Sequence, residues 1–151
     1  MEPFTVLLVE DDPNDVLLVR RAFRRAGLPE PWAVGDGEQA VSYLSGEGGY
    51  ADRAAHPLPA LLLLDLKMPR MDGFEVLRWL RARTDGLRRL PVAVLTSSAE
   101  NPDIHRAYDA GANSYLVKPP TFDGLHEMVR ALGLYWEGQN RGPQMDGGIG
   151  A

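Results

Sequence analysis

Short aliphatic runs alternate with longer segments of helical period from the N-terminus to about residue 137. The runs at residues 5–9, 31–34, 61–64, 92–95 and 114–117 have strand length, and each leads into a turn or acidic signal and then a helix-period segment. The first, third and fourth are continuous rather than alternating, the pattern of strands covered on both faces in a parallel sheet. The first helix has a clear start: Asp12 can cap it, Pro13 suits the first helical position, and Asp15 puts negative charge in the first turn. Gly27 and Pro29 end it. Further helices are predicted over residues 38–44, 74–83, 102–110 (with Asn101 as cap) and 122–136. Gly46, Gly48 and Gly49 open a long polar loop that runs to Pro59. Residues 138–151 are glycine-rich and aperiodic and read as a mobile tail, leaving one α/β domain over residues 1–137.

The composition supports this reading and narrows the chemistry. A chain of 151 residues has the length of one domain, and 44% hydrophobic with 25% charged residues is the balance of a globular protein. A net charge of -5 argues against direct binding to nucleic acid or to anionic lipid. With no cysteine, thiolate chemistry and disulfides are excluded, which fits a reducing compartment. The longest apolar run, residues 60–64, is far below the ~20 residues of a membrane span, and the N-terminus has no cleavable signal pattern. A cytoplasmic, soluble protein with no membrane contact is expected.

In an open α/β sheet, ligands bind beyond the carboxyl ends of the strands. The residues there are Glu10, Asp11 and Asp12 after the first strand, Asp65 after the third, Thr96 and Ser97 after the fourth, and Lys118 after the fifth. Clustered carboxylates repel one another unless a hard divalent cation sits among them. Glu10, Asp11 and Asp65 carry three negative charges, which one Mg2+ and Lys118 would balance. A neutralised site of this kind is ready for a phosphoryl group, whose oxygens metal, ammonium and hydroxyl could share while a carboxylate acts as nucleophile.

Four segments carry a resemblance: LLVEDDPND at residues 7–15, LLLLDLKMPRMDG at 61–73, VLTSS at 94–98 and AGANSYLVKP at 110–119. In this order and spacing the sequence resembles a response-regulator receiver domain. The resemblance implies a flavodoxin-like (βα)5 doubly wound sandwich with a five-stranded parallel sheet of order 2-1-3-4-5. It implies that a sensor histidine kinase phosphorylates Asp65, with Mg2+ held by Asp11, Asp65 and the backbone carbonyl of Lys67, and with Glu10 acting through water. It further implies that Lys118 contacts the phosphoryl group, that the Lys118–Pro119 bond is cis, and that Thr96 and Tyr115 form a coupled switch. Lys67 and Ser98 occupy the positions through which family members set their dephosphorylation rate. A narrower resemblance, carried by the long loop before the third strand and by GLYWEG at 133–138, is to small stand-alone regulators paired with bacterial phytochromes. Such a protein is a switch rather than a turnover enzyme, and a terminal regulator and a phosphorelay intermediate both fit.

Two rival functions fail on particular residues. A haloacid-dehalogenase-type phosphohydrolase needs a second acid two residues after its nucleophile, and Lys67 stands there. A dinucleotide or flavin carrier needs a phosphate loop after the first strand, which carries acids instead. His56, His105 and His126 lack metal-ligand spacing and read as solvated surface.

Two helical faces suggest partners. In the first helix, Val19, Ala22, Phe23 and Ala26 form the inner face, while Leu17 projects among Arg20, Arg21, Arg24 and Arg25, as a stray surface leucine or as a kinase-docking contact. In the last helix, Leu125, Val129, Leu132 and Trp136 suffice to cover the sheet, and Met128, Ala131 and Tyr135 widen the apolar arc beyond that need. A homodimer through Met128 and Tyr135 is one use of the surplus; a tail folded back over them is the other.

Overall fold

Leucines 61–64 are fully buried, and complete burial of one such side chain stabilises a fold by roughly 1.5–3 kcal/mol. They form a strand in the middle of a sheet covered on both faces. The computed structural model describes residues 4–143, and five parallel strands run through it: β1 (Val6–Val9), β2 (Trp32–Val34), β3 (Leu61–Leu64), β4 (Val92–Thr96) and β5 (Ser114–Val117). Their order is β2-β1-β3-β4-β5. Helices α1 (Pro13–Arg25), α2 (Gly37–Ser45), α3 (Gly73–Arg81), α4 (Asn101–Ala110) and α5 (Phe122–Trp136) connect or follow them.

Alternate residues of each strand point to opposite faces, and the two faces have separate cores. On one, Leu7, Val9, Leu62, Leu64, Val92 and Val94 meet Ala40, Tyr43 and Leu44 of α2, Phe74, Leu77 and Leu80 of α3, and Ala107 of α4. On the other, Val6, Leu8, Leu61, Leu63, Ala93 and Leu95 meet Val19, Ala22 and Phe23 of α1 and Leu125 and Val129 of α5. The predicted flavodoxin-like sheet order and the continuous burial of β1, β3 and β4 are both present. The fifth strand lies at the sheet edge and is only half-buried.

Asp12 caps α1 as expected, accepting from the Asn14 amide at 2.9 Å. Three expectations are corrected. Asn101 is not the cap of α4 but its first residue: Glu100 precedes it without a side-chain cap, and the Ser98 hydroxyl accepts from the Glu100 amide instead. Among the described residues no peptide bond is cis, so Lys118–Pro119 is trans. The trans form is the more stable for X–Pro by about 0.5–1 kcal/mol, and the Lys118 side chain reaches the sheet edge from it. The long polar loop expected before β3 is present and is organised by local contacts. It contains a short 3-10 turn (Gly48–Tyr50) and closes around Arg53, whose guanidinium donates to the carbonyls of Tyr43, Leu44 and His56 and so satisfies the last turn of α2. His56, expected on the solvated surface, is accordingly half-buried. It stands edge-on to Tyr43 and Tyr50 at centroid distances of 5.8 and 5.2 Å. Residues 138–143 of the anticipated tail have no regular structure, and 144–151 lie outside the described residues.

Candidate phosphoacceptor and metal site

Parallel register carries residues from distant parts of the chain to one edge. Val9 lies beside Leu64, which places Glu10 next to Asp65, and the Asp65 amide donates to the Val9 carbonyl at 3.0 Å. Thr96 pairs with Val117, and the Lys118 amide donates to the Thr96 carbonyl at 2.8 Å. Asp65 and Thr96 are buried, as is Glu10, whereas Asp11 is exposed. The backbone turns sharply after Asp65: a Cβ on Gly73 would stand 2.3 Å from the Asp65 carbonyl oxygen, so only glycine lets α3 begin there. The Leu66 amide donates to Asp65 Oδ1 at 2.8 Å and fixes the carboxylate.

Lys118 is the electrostatic centre. Its Nζ lies 2.5 Å from Glu10 Oε1, 2.9 Å from Asp15 Oδ2 and 3.5 Å from Asp65 Oδ2. Burial alone would lower the ammonium's pKa, but its hydrogen bonds to Glu10 and Asp15, with the Asp65 charge, outweigh that and hold it above the ordinary lysine value. It stays protonated. For Glu10 the balance reverses: burial pushes the carboxyl up to about 7, the Lys118 hydrogen bond opposes the rise, and the Asp65 charge adds to it. Asp15, read from the sequence only as first-turn charge, is thus a direct partner of the site lysine.

Carboxylate oxygens of Glu10, Asp11 and Asp65 lie within 4.8 Å of one another. Oxygens on opposite sides of an octahedral Mg2+ stand about 4.2 Å apart. The cluster therefore fits a divalent cation. Glu10 is the most constrained of the three, since Oε1 accepts from Lys118 and Oε2 from the Asp12 amide at 3.2 Å. A proton on Glu10 competes with such a cation. The raised folded-state pKa means that ionising Glu10 costs stability as pH rises through about 7, and a bound cation offsets that cost. Added Mg2+ is expected to raise Tm more at pH 8 than at pH 6, as measured by thermal unfolding; an equal or larger rise at pH 6 would contradict the linkage.

The mouth of the site is a cleft of about 430 Å³ lined by Asp11, Lys67, Met68, Asp72, Asp103 and Arg106, among others. Asp103 in the first turn of α4 accepts from the Ser98 hydroxyl at 2.6 Å and pairs with Lys67 Nζ at 3.7 Å. The residues two beyond Asp65 and two beyond Thr96 therefore share one carboxylate, a link the sequence did not reveal. The Tyr115 hydroxyl donates to the Ser98 carbonyl at 2.8 Å, tying β5 to the loop that follows Thr96.

Residues predicted to meet partners lie elsewhere. Leu17 is 53% exposed, and Leu18, beside it, helps line a small pocket with Lys118, Pro119, Pro120 and Phe122. On α5, Tyr135 is 55% exposed, but Met128 is half-buried against the core and not a free patch. Leu134, 62% exposed, adds further apolar surface on α5. Among the described residues no helix is long and apolar enough to cross a membrane.

The 2-1-3-4-5 sheet thus carries acids, a hydroxyl and a lysine together at its carboxyl edge. The chain belongs to the response regulator receiver domain family, whose sequence pattern matches residues 6–130. Among its relatives is the probable methanogenesis regulatory protein FilR2 of Methanothrix harundinacea, 43% identical over 94% of this chain and 89% of that one. Similar solved structures include response regulator RPA3017 in red light signaling of R. palustris (39% identity, 95% of this chain and 100% of that one, TM-score 0.88). The phosphorylated cyanobacterial phytochrome response regulator RcpA matches at 34% identity over 95% and 100% of the two chains, with a TM-score of 0.85. The Mn2+-bound form of response regulator Rcp1 matches at 34% identity over 94% and 100%, with a TM-score of 0.81.

Proposed function

We propose that Asp65 accepts a phosphoryl group from the phosphohistidine of a sensor histidine kinase and that the acyl phosphate resets the surface around Tyr115. The observation that carries this reading is the placement of buried Asp65 beside Lys118 and within 4.8 Å of Glu10 and Asp11. In the step, an Asp65 carboxylate oxygen forms a bond to phosphorus as the phosphorus–nitrogen bond breaks, and the imidazole leaves with the electron pair. Mg2+, held by Asp11, Asp65 and the Lys67 carbonyl with Glu10 through water, would neutralise charge on the transferring group. Lys118 supplies a second, permanent cation, and Thr96 a hydroxyl that can follow the phosphoryl oxygen. The transfer is made once, onto the protein itself. The phytochrome response regulator RcpA and RPA3017, in red light signaling, support a light-sensing kinase of the phytochrome type as donor. Leu17 and its neighbour Leu18 are the apolar contacts the kinase would meet on α1, and the setting would be the cytoplasm.

Incubation with acetyl phosphate and Mg2+ is the direct test. One phosphoryl group per chain is expected by intact mass, and none in excess EDTA; labelling that survives EDTA undiminished would refute the metal's role. The exposed Tyr135 and Leu134 further support self-association along α5, because the commonest closed assembly pairs one patch with itself. Sedimentation at several concentrations is expected to give a dimer that Tyr135→Glu weakens at least tenfold, whereas a monomer at high concentration, phosphorylated or not, rejects it.

A further inference from the structure

Loop 67–72, between β3 and α3, is fastened at both ends. At its base the Gly73 amide donates to the Leu66 carbonyl at 2.9 Å. At its tip the Gly37 amide of α2 donates to the Met71 carbonyl at 3.1 Å, and the backbones touch so closely that a Cβ on Gly37 would stand 2.1 Å from that oxygen. Beside this contact Arg70 Nη1 donates to Asp36 Oδ2 at 2.6 Å. Arg70 is the only non-glycine residue with positive φ among those described, at 67°. A side chain in that conformation is strained, and it persists only where its surroundings hold it.

Asp36 divides its two oxygens. Oδ1 caps α2 by accepting from the Gln39 amide at 2.8 Å, and Oδ2 takes Arg70. The Asp36 side chain is 4% exposed and that of Arg70 63%, so the guanidinium stands largely in solvent and the pair adds little to global stability. Its effect is local: it holds a strained residue in the one loop that joins Asp65 and Lys67 to α3. The Gln39 amide and the Arg70 guanidinium outweigh burial and keep the Asp36 carboxyl below the usual carboxylate range, so the clamp is charged at neutral pH.

We infer that Asp36 and Arg70 are positioning residues for the divalent-metal site, fixing loop 67–72 so that the backbone at Lys67 is set before a cation arrives. The inference rests on the metal reading proposed above. It follows that the clamp acts on metal affinity and on loop protection, and not on the phosphoryl step once the metal is bound.

Two variants separate this role from a merely structural one. Asp36→Asn keeps a capping oxygen for α2 but loses the charge, since Asn and Asp cap comparably. Arg70→Gly removes the guanidinium while tolerating positive φ. In metal-free protein, amide exchange at Gly37, Met71 and Gly73 is expected to accelerate at least tenfold in both, with Ala40 in α2 unchanged. Mg2+ affinity by titration calorimetry should fall about tenfold, the scale on which residues supporting metal ligands act. Labelling by acetyl phosphate at saturating Mg2+ should return to within twofold of the parent. Unchanged exchange and affinity in both variants would overturn the proposal, as would a loss of labelling that saturating Mg2+ does not restore. A parent protein that binds no Mg2+, or an Asp11→Ala variant that binds it normally, would instead refute the metal reading itself.

Discussion

Lys118→Met is expected to stop phosphorylation and to make stability depend strongly on pH. The substitution keeps the length of the side chain but removes the ammonium that lies within 3.5 Å of Glu10, Asp15 and Asp65. Breaking a buried pair by deleting one partner costs roughly 3–5 kcal/mol, because the remaining charge is left uncompensated. Here that cost is reduced wherever the acid can take a proton, and Glu10, already raised to about 7, can do so. Deleting the lysine removes the influence that opposed the rise, so in the variant Glu10 is protonated over a wider range. The variant should therefore be weakest at pH 8, by roughly 3 kcal/mol, and recover as pH falls through 7. For a domain of this size each kcal/mol moves Tm by about 2–4 °C. Added Mg2+ should restore part of the loss at pH 8, since it supplies positive charge to the same carboxylates. The labelling rate with acetyl phosphate should drop about 100-fold or more, the usual consequence of removing one preorganised group that meets developing charge. A variant as stable as the parent at both pH values, labelled within twofold of its rate, would show that Lys118 is a surface lysine with no part in the site.

The features legible in the sequence share a physical cause. Continuous aliphatic runs at 61–64 and 92–95 have the pattern of strands covered on both faces, and their alternation with helix-period segments predicts the α/β layering. Asp65 and Lys118 were legible because a parallel sheet places the residue after each strand at one edge, whatever the length of the intervening helix. What escaped are contacts between polar side chains and partners far along the chain. Asp15 reads as first-turn charge, and nothing in its neighbourhood indicates that Lys118, over 100 residues away, will sit 2.9 Å from it. Arg81 has the look of a solvated helix residue, yet its guanidinium bonds the carbonyls of Gly111, Arg88 and Leu90 and the Asn113 side chain, riveting α3 to the starts of β4 and β5. Arg53 does the same for the end of α2, which organises the long polar loop and packs His56 against two tyrosines. One helix end is also displaced: α4 begins at Asn101 itself, Glu100 precedes it without a side-chain cap, and the Ser98 hydroxyl accepts from the Glu100 amide outside the helix. Asp36 shows both limits at once, since its capping role is local while its bond to Arg70 spans 34 residues.

The second large effect concerns Asp65 itself. Asp65 is buried, stands at the end of a fully covered strand and has Oδ2 3.5 Å from Lys118 Nζ. Asp11 is exposed and suited to holding a cation, and both Glu10 oxygens are already engaged. Asp65→Asn should therefore abolish labelling while leaving the fold intact, because the amide keeps an acceptor for the Leu66 N–H and removes one of the mutually repelling charges. Locating the label is the most direct test of the account. An acyl phosphate is reduced by borohydride to homoserine, so treating the acetyl-phosphate-labelled protein with borohydride and sequencing its peptides by mass spectrometry reads out the acceptor. Homoserine at position 65 and nowhere else is the predicted result; homoserine at position 11, 12 or 72, or full labelling of Asp65→Asn, would contradict it.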